Sequence, residues 1–413
     1  MRQTSLALCL ALAAGTVFGC TPQALFPGSD YDGDLLNTIV TAGESSAVAT
    51  DGASDGSANG EATPETAGKT VFEFDGTVTG NDGYQLFDLG PGSAGDRWHV
   101  TAGGPLSSPF IVVLLDGDQN LLMRTYFYYR DPLDHILRQS SDNVYVGIMP
   151  PASGDGGSFQ LRATRQAYQP IPTPQRQVVW LNFAGGVDVK VHTRDPVSFP
   201  PFDGATIGEA YADHTREMAD MILSEMRADY AGYNVEILSS VDGQPPEGPY
   251  ATIHFGGDEP GLLGLADGVD NYNQDPAQSA MVYVPNFAPY WTMHLEPDEM
   301  AVMIANVASH ELGHLLGLYH TKNPDDLMDT TGSAWDLADN QSFVRAELEP
   351  TVFATGWEDS PVLLGQIIGY DPDAAKTVVR QKSAKSATYK AIRQFAQQEL
   401  TSTCGTCLSL DHE

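Results

Sequence analysis

The chain contains the run His310-Glu311-Leu312-Gly313-His314-Leu315-Leu316-Gly317-Leu318-Tyr319-His320, and no other stretch restricts what it can fold into so sharply. Two histidines four residues apart on a helix lie one above the other on a single face, so His310 and His314 can aim two imidazole nitrogens at one point. Glu311 sits about 100° further round the helix, within reach of a water held at that point without occupying it. Gly317 is free to take the left-handed conformation that ends a helix, and the chain can then turn back to present His320 as a third nitrogen. The motif needs a long helix before it, and Pro297-Asp298-Glu299 supplies a start. Proline is tolerated in the first helical turn, and acidic side chains favour the positive end of the helix dipole.

Three protein ligands leave the fourth position of a tetrahedral ion for water, which is the arrangement of a catalytic rather than a structural zinc site. A bare His-Glu-x-x-His recurs by accident, whereas Gly317 and His320 at fixed offsets remove most of that ambiguity. The segment resembles the long His-Glu-x-x-His-x-x-Gly-x-x-His signature of the metzincin zinc endopeptidases. The resemblance implies one catalytic zinc on His310, His314 and His320, with Glu311 as general base. It also implies that Met328, in Asp326-Leu327-Met328-Asp329, lies beneath the metal as a hydrophobic floor. The short gap from His320 to Met328 is most similar to the matrixin group. Thr330 stands where astacin-like and serralysin-like members carry a tyrosine, so no tyrosine ligand is expected, and Thr321 replaces the serine common in matrixins. No cysteine falls between Cys20 and Cys404, which excludes a cysteine-switch propeptide in that interval.

The likeness runs over about 176–370 and implies an α/β (α+β) catalytic domain, with a twisted mixed sheet and an active-site helix, that hydrolyses peptide bonds of a protein or peptide substrate. By the same likeness, Leu262 to Ala266 is the candidate strand that pairs with extended substrate, and Phe353, Trp357 and Leu363 are candidates for the lower cleft and pocket wall. The competing reading is a catalytically silent surface binding or adhesion lipoprotein that keeps the metzincin fold. The intact Glu311 weighs against it, because a binding module has no chemical need for a base beside three ligands.

Hydropathy divides the rest of the 413 residues. Residues 1–20 read as an export signal, with Arg2 before the apolar run Leu6 to Phe18, a run too short to span a bilayer as a permanent helix. Val17-Phe18-Gly19-Cys20 resembles the bacterial lipobox, which implies lipidation at Cys20 and anchoring at the cell envelope; a plain secretory signal cleaved nearby is the alternative. Residues 21–69 are Gly, Ser, Ala, Thr and Asp with few large apolar side chains, so they read as a disordered tether. Over 70–165, short apolar runs broken by Gly, Asp, Asn and Pro predict a small all-β sandwich, including a hairpin through Asp116-Gly117. Residues 166–176 form a Pro-rich linker. The pattern of 177–370 predicts strands at Gln177–Phe183, Val235–Leu238, Ala251–Phe255 and Ala280–Val284, with a helix over Ala210–Asp229 and the active-site helix from Pro297. Residues 371–413 are a basic helical tail in an acidic protein, ending in a Cys404/Cys407 pair read as a small terminal disulfide.

A formal charge of -33 argues against nucleic acid as a partner. Asp258, Asp267, Asp270 and Asp275 fall in one Gly-rich region and are candidates for a calcium loop as in matrixins, with solvated loop carboxylates as the default. His192, His214 and His254 lack the spacing of a second zinc site and read as ordinary histidines.

Overall fold

The computed structural model describes residues 39–41, 70–80, 83–102, 109–127, 132–151 and 156–371. The candidate lipidation site Cys20, most of the tether, the tail beyond Asp371 and the Cys404/Cys407 pair lie outside the described residues.

The turn-rich sequence before the linker folds into nine strands: β1 (Ile39–Thr41), β2 (Thr70–Thr79), β3 (Gln85–Asp88), β4 (Arg97–Ala102), β5 (Phe110–Asp116), β6 (Leu121–Phe127), β7 (Leu133–Ile136), β8 (Val144–Met149) and β9 (Gly156–Gln166). They form two sheets, ordered β1-β3-β8-β5-β6 and β2-β9-β4-β7. Every pairing within them is antiparallel except β1 with β3. Phe74, Trp98, Phe159 and Leu161 of one sheet meet Phe87, Phe110, Val112 and Val146 of the other in a shared core. The Asp-Gly hairpin joins β5 to β6, where Asp116 accepts from the main-chain N–H groups of Asp118 and Asn120 and so closes the turn with its own side chain.

β5 reads Phe-Ile-Val-Val-Leu-Leu because both of its faces are covered. Phe110, Val112 and Leu114 enter the sandwich core. Ile111, Val113 and Leu115 face the other way and pack with Leu86 and Leu121 against Tyr319, Leu348, Val352 and Phe353 of the second half of the chain. Gly147 gives this junction its closeness: a Cβ there would lie 2.5 Å from the tip of the Phe353 ring. Phe353 and its neighbours therefore serve as the seat of the sandwich, not as a pocket wall. Trp357 likewise donates its N–H to Gln119 O at the hairpin and lies under Arg345, while Leu363 packs into the core of the second half.

That second half contains β10 (Gln177–Asn182), β11 (Gly186–Val189), β12 (Val197–Phe199), α1 (Thr215–Asp229), β13 (Val235–Ser239), β14 (Ala251–Phe255), β15 (Gly264–Ala266), β16 (Ser279–Val282), α2 (Pro297–Leu315), α3 (Ala334–Leu337), β17 (Arg345–Glu347), β18 (Trp357–Asp359) and α4 (Ser360–Ile367). The main sheet has the order β13-β10-β14-β16-β15, parallel except for β15, which runs antiparallel at the edge. It is the mixed sheet expected, with α1 and α2 packed on it through Ile222, Met226, Met300 and Ile304. Two boundaries differ from the sequence reading by more than one residue. The stretch before Thr215 is a tighter 3₁₀ coil that lets buried Tyr211 donate its hydroxyl to Leu295 O at 3.0 Å. β16 ends before Val284 because Pro285, which has no N–H to give a ladder, opens a 3₁₀ segment.

Candidate active site and metal centre

α2 begins with a capping box in which Glu296 and Glu299 satisfy each other's backbone N–H groups, and Pro297 occupies its first turn. Its last two turns carry the motif, buried on nearly all sides. Gly317 stops it at φ +96, a conformation that disfavours any side chain. The position is doubly restricted: a Cβ at Gly317 would also lie 2.6 Å from Asp270 O and 2.8 Å from Tyr272 N. The chain reverses there and brings His320 back over the helix.

The three Nε2 atoms of His310, His314 and His320 stand 3.1 to 3.2 Å apart in a nearly equilateral triangle. Nitrogen ligands at the usual 2.0 to 2.1 Å from a tetrahedral zinc are about 3.3 Å from one another, so the triangle has the right size. The tautomers agree. His310 Nδ1–H donates to Leu327 O at 2.7 Å and His314 Nδ1–H to Leu318 O at 2.8 Å. A carbonyl only accepts, so in these neutral rings the proton is on Nδ1 and the Nε2 lone pair faces inward. Burial lowers His310 to about 4 and pushes His314 and His320 well below the ordinary imidazole range, with the neighbouring histidines adding to the effect for the latter two. Lone pairs aimed at one point this closely repel unless a cation sits between them. The donor set therefore fits zinc, and among the described residues it is the one group of three or more His, Cys, Asp or Glu side chains so gathered.

Glu311 is almost fully buried and lines the cavity beside the triangle, together with Leu263, Gly264, Val307, Thr330 and Leu337. β15 passes so close that a Cβ at Gly264 would lie 2.7 Å from Glu311 Cγ and 2.8 Å from its carboxyl carbon. The candidate substrate strand thus forms the upper edge of this cavity.

Beneath the helix lies Met328, with no exposure. Gly313 makes room for it, since a Cβ at that position would lie 2.5 Å from the Met328 sulfur. The turn carrying Met328 is bound back to the residue after the third histidine: Thr321 N–H donates to Met328 O at 2.9 Å and Thr330 N–H to Thr321 O at 3.2 Å. Thr321 also donates its hydroxyl to Asp326 at 2.7 Å, and burial lifts that carboxyl to about 6. Asp329 fixes the descending wall by accepting from the Thr331 hydroxyl and Gly332 N–H.

Two buried groups near the site were not singled out from sequence. Glu358 accepts from Tyr319 N–H with both oxygens, at 3.0 and 2.8 Å, and burial raises its carboxyl well above the usual range. Arg124 of β6 lies with its guanidinium 5.6 Å from the centre of the Tyr319 ring. Neither has a local pattern that marks it.

The four aspartates offered for calcium are not drawn into one cluster among the described residues. Asp267 accepts from His192 N–H and Ser279 N–H, Asp270 from Asp275 N–H, and Asp275 from Ala277 N–H. The other histidines have separate settings: His192 lies against Asp267 O, His214 against Glu217 and His254 against Asn182.

Three imidazoles in a triangle, a carboxylate on the next helical position and a buried methionine against Gly313 are consistent with a zinc site of the metzincin class. Residues 238–342, which include the three histidines and Met328, match the matrixin family, and the recognition made from the motif therefore stands as matrixin-like. No curated protein matches the chain. Among solved structures, the archaemetzincin of Methanopyrus kandleri is similar at 13% identity over 46% of this chain and 95% of its own, with a TM-score of 0.25. A periplasmic inhibitor of g-type lysozyme from Aeromonas hydrophila is similar at 11% identity over 24% of this chain and 84% of its own, with a TM-score of 0.19. Likenesses of that size carry no argument about function.

Proposed function

We propose that this chain is a zinc-dependent endopeptidase, exported and lipid-anchored through Cys20 at the cell envelope or secreted, that cleaves protein or peptide substrates with Glu311 as general base. The inward-facing triangle of three neutral Nε2 atoms beside a buried carboxylate carries the reading. Zinc, when held by His310, His314 and His320, supplies Lewis-acid polarisation of the scissile carbonyl and lowers the pKa of water. Glu311 accepts the proton of the attacking water on its carboxylate and returns it to the nitrogen of the departing amine, so the carboxylate ends the cycle ionised as it began. β15 is an edge strand of the main sheet, along which an extended substrate backbone can lie. Leu263, Val307, Leu327 and Leu337 give the cavity beside the triangle an apolar lining for one substrate side chain.

The test is incubation of the full chain with a mixed peptide library, with and without a zinc chelator. Cleavage that the chelator abolishes and added zinc restores supports the peptidase. Zinc bound without any cleavage would favour the silent binding protein instead. Export and anchoring rest on the sequence of the first twenty residues, and incorporation of a labelled lipid precursor that Cys20→Ala abolishes is the corresponding test.

A further inference from the structure

We propose that the N-terminal β-rich body is a built-in support for the third metal ligand, and that Arg124 is the positioning residue through which it acts. The inference rests on the zinc-site reading above. Tyr319, immediately before His320, is gripped at three points. Its N–H donates to the buried Glu358 carboxyl, its hydroxyl donates to Asn271 Oδ1 at 3.1 Å, and its ring faces the Arg124 guanidinium. Two of these grips lead back to β6. Asn271 Nδ2 donates to Arg124 O at 3.1 Å, and Arg124 is itself fixed by Nε–H donation to Val352 O at 3.0 Å. Next along the same loop, Tyr272 donates its hydroxyl to Leu122 O at 2.9 Å. The loop also touches the end of α2, where Asp270 N–H donates to His314 O and the Asp270 carbonyl abuts Gly317. One strand of the sandwich is thereby tied to both sides of the reversal that brings His320 over the helix.

Arg124 is buried and pairs with carbonyls and an aromatic face rather than with a carboxylate. Burying a guanidinium in this way is costly unless its contacts are all kept, so the arrangement tolerates little movement of Tyr319. Among the described residues, none that lines the cavity at Glu311 comes from the sandwich. Among the described residues the body shares a core with the second half of the chain through Phe353 and Tyr319 and contributes nothing to that cavity lining, unlike an inhibitory proregion seated in a cleft.

The experiment compares the full chain with Arg124→Met, which keeps a stem but removes the cation, Arg124→Lys, which restores a cation, and Tyr319→Phe, which removes the hydroxyl link alone. Zinc dissociation constants are measured by competition with a chromophoric chelator, alongside melting of the metal-free proteins and kcat and KM on a cleaved peptide. Arg124→Met is expected to weaken zinc about tenfold, the lower end of what loss of outer support to a ligand histidine costs, with partial recovery in Arg124→Lys. Tyr319→Phe should weaken zinc severalfold while the metal-free protein stays folded and melts only a few degrees lower, on the order of the loss of one buried hydrogen bond, which keeps the test decisive if Arg124→Met fails to fold. Wild-type zinc affinity in folded Arg124→Met, or in Tyr319→Phe, overturns the inference. A parent chain that binds zinc but cleaves nothing refutes the peptidase and leaves the zinc measurements able to judge Arg124; a parent chain that takes no zinc overturns both.

Discussion

Replacing Gly264 with alanine separates catalysis from metal binding. The backbone at Gly264 is not in the left-handed region, so an alanine there carries no conformational strain. What it meets is Glu311: the new methyl would lie 2.7 and 2.8 Å from Cγ and Cδ of that side chain. Carbon atoms in good contact are about 3.5 to 4.0 Å apart, so the carboxyl has to retreat by about 1 Å. A reacting group displaced by about that much loses on the order of a hundredfold in rate, or about 2.7 kcal/mol of transition-state stabilisation. The nearest atoms all belong to the Glu311 side chain and none to the backbone, so the disturbance falls on that side chain first. Gly264→Ala should therefore lower kcat about a hundredfold on a peptide the parent enzyme cleaves. Its zinc dissociation constant should stay within about twofold of the parent, since the proposed role of Glu311 is that of a base and not a ligand. Full activity in this variant, or a loss of zinc in step with activity, refutes the placing of Glu311 under β15 as the base.

Glu311→Gln should retain zinc and lose about 10² to 10⁴ in kcat, the usual worth of a positioned base, and near-normal turnover would exclude the role assigned to it. Gly317→Ala combines left-handed strain of about 1 to 2 kcal/mol with overlap at Asp270 O worth about as much again, so metal-free protein should melt about 10 °C lower and bind zinc more weakly. Gly147→Val drives a side chain into Phe353 and should cost about 1 to 3 kcal/mol while making the junction between the two halves more sensitive to protease; unchanged melting would contradict the shared core. Burial lowers His135 to about 3 and both His254 and His310 to about 4. Because their folded pKa values lie below that of the unfolded chain, near 6.5, the unfolded state takes up protons first as pH falls. Metal-free protein should lose stability from about pH 6.5 down to about 4. Asp326, raised to about 6, opposes this, since its contribution is present at low pH and lost as pH rises through 6. A melting temperature that is flat or rising on acidification over that range would show that the histidines do not dominate.

The part of the site that was legible in the sequence is the part built from neighbours on one helix and the turn after it. His310, Glu311 and His314 are related by helical geometry alone, and Gly317 announces the reversal that returns His320. The strands of the main sheet are similarly local, each a short apolar run bounded by turn residues. What escaped was set by distant partners. Arg124 meets Tyr319 across 195 positions, and Glu358 reaches the same residue from 39 positions away, so no periodicity marks either. Phe353, Trp357 and Leu363 were legible as apolar, but which surface they cover depends on where the sandwich docks. The continuous apolar run of β5 held a clue to that docking: a strand with one face in water alternates, and this one does not.

Glycine accounts for much of the precision that the visible motif alone does not explain. Gly264, Gly313 and Gly317 each stand where a Cβ would strike a different part of the proposed machinery: Glu311, Met328 and the loop tied to the sandwich. The three contacts are on different sides of the same two helical turns, so the helix is enclosed by backbone and side chains at distances that no larger residue allows. A site whose ligands must be placed to within about half an ångström is held either by hydrogen bonds or by packing that leaves no slack. Here both operate. His310 and His314 are oriented by carbonyls of the very turns that Gly313 and Gly317 let approach, Leu327 O next to Met328 and Leu318 O just past the reversal. Enlarging any one of the three glycines should thus injure a different function, namely proton transfer at Gly264, the orientation of His310 at Gly313 and the placement of His320 at Gly317. Three variants with the same loss of kcat, zinc affinity and stability would show instead that the region responds as one unit.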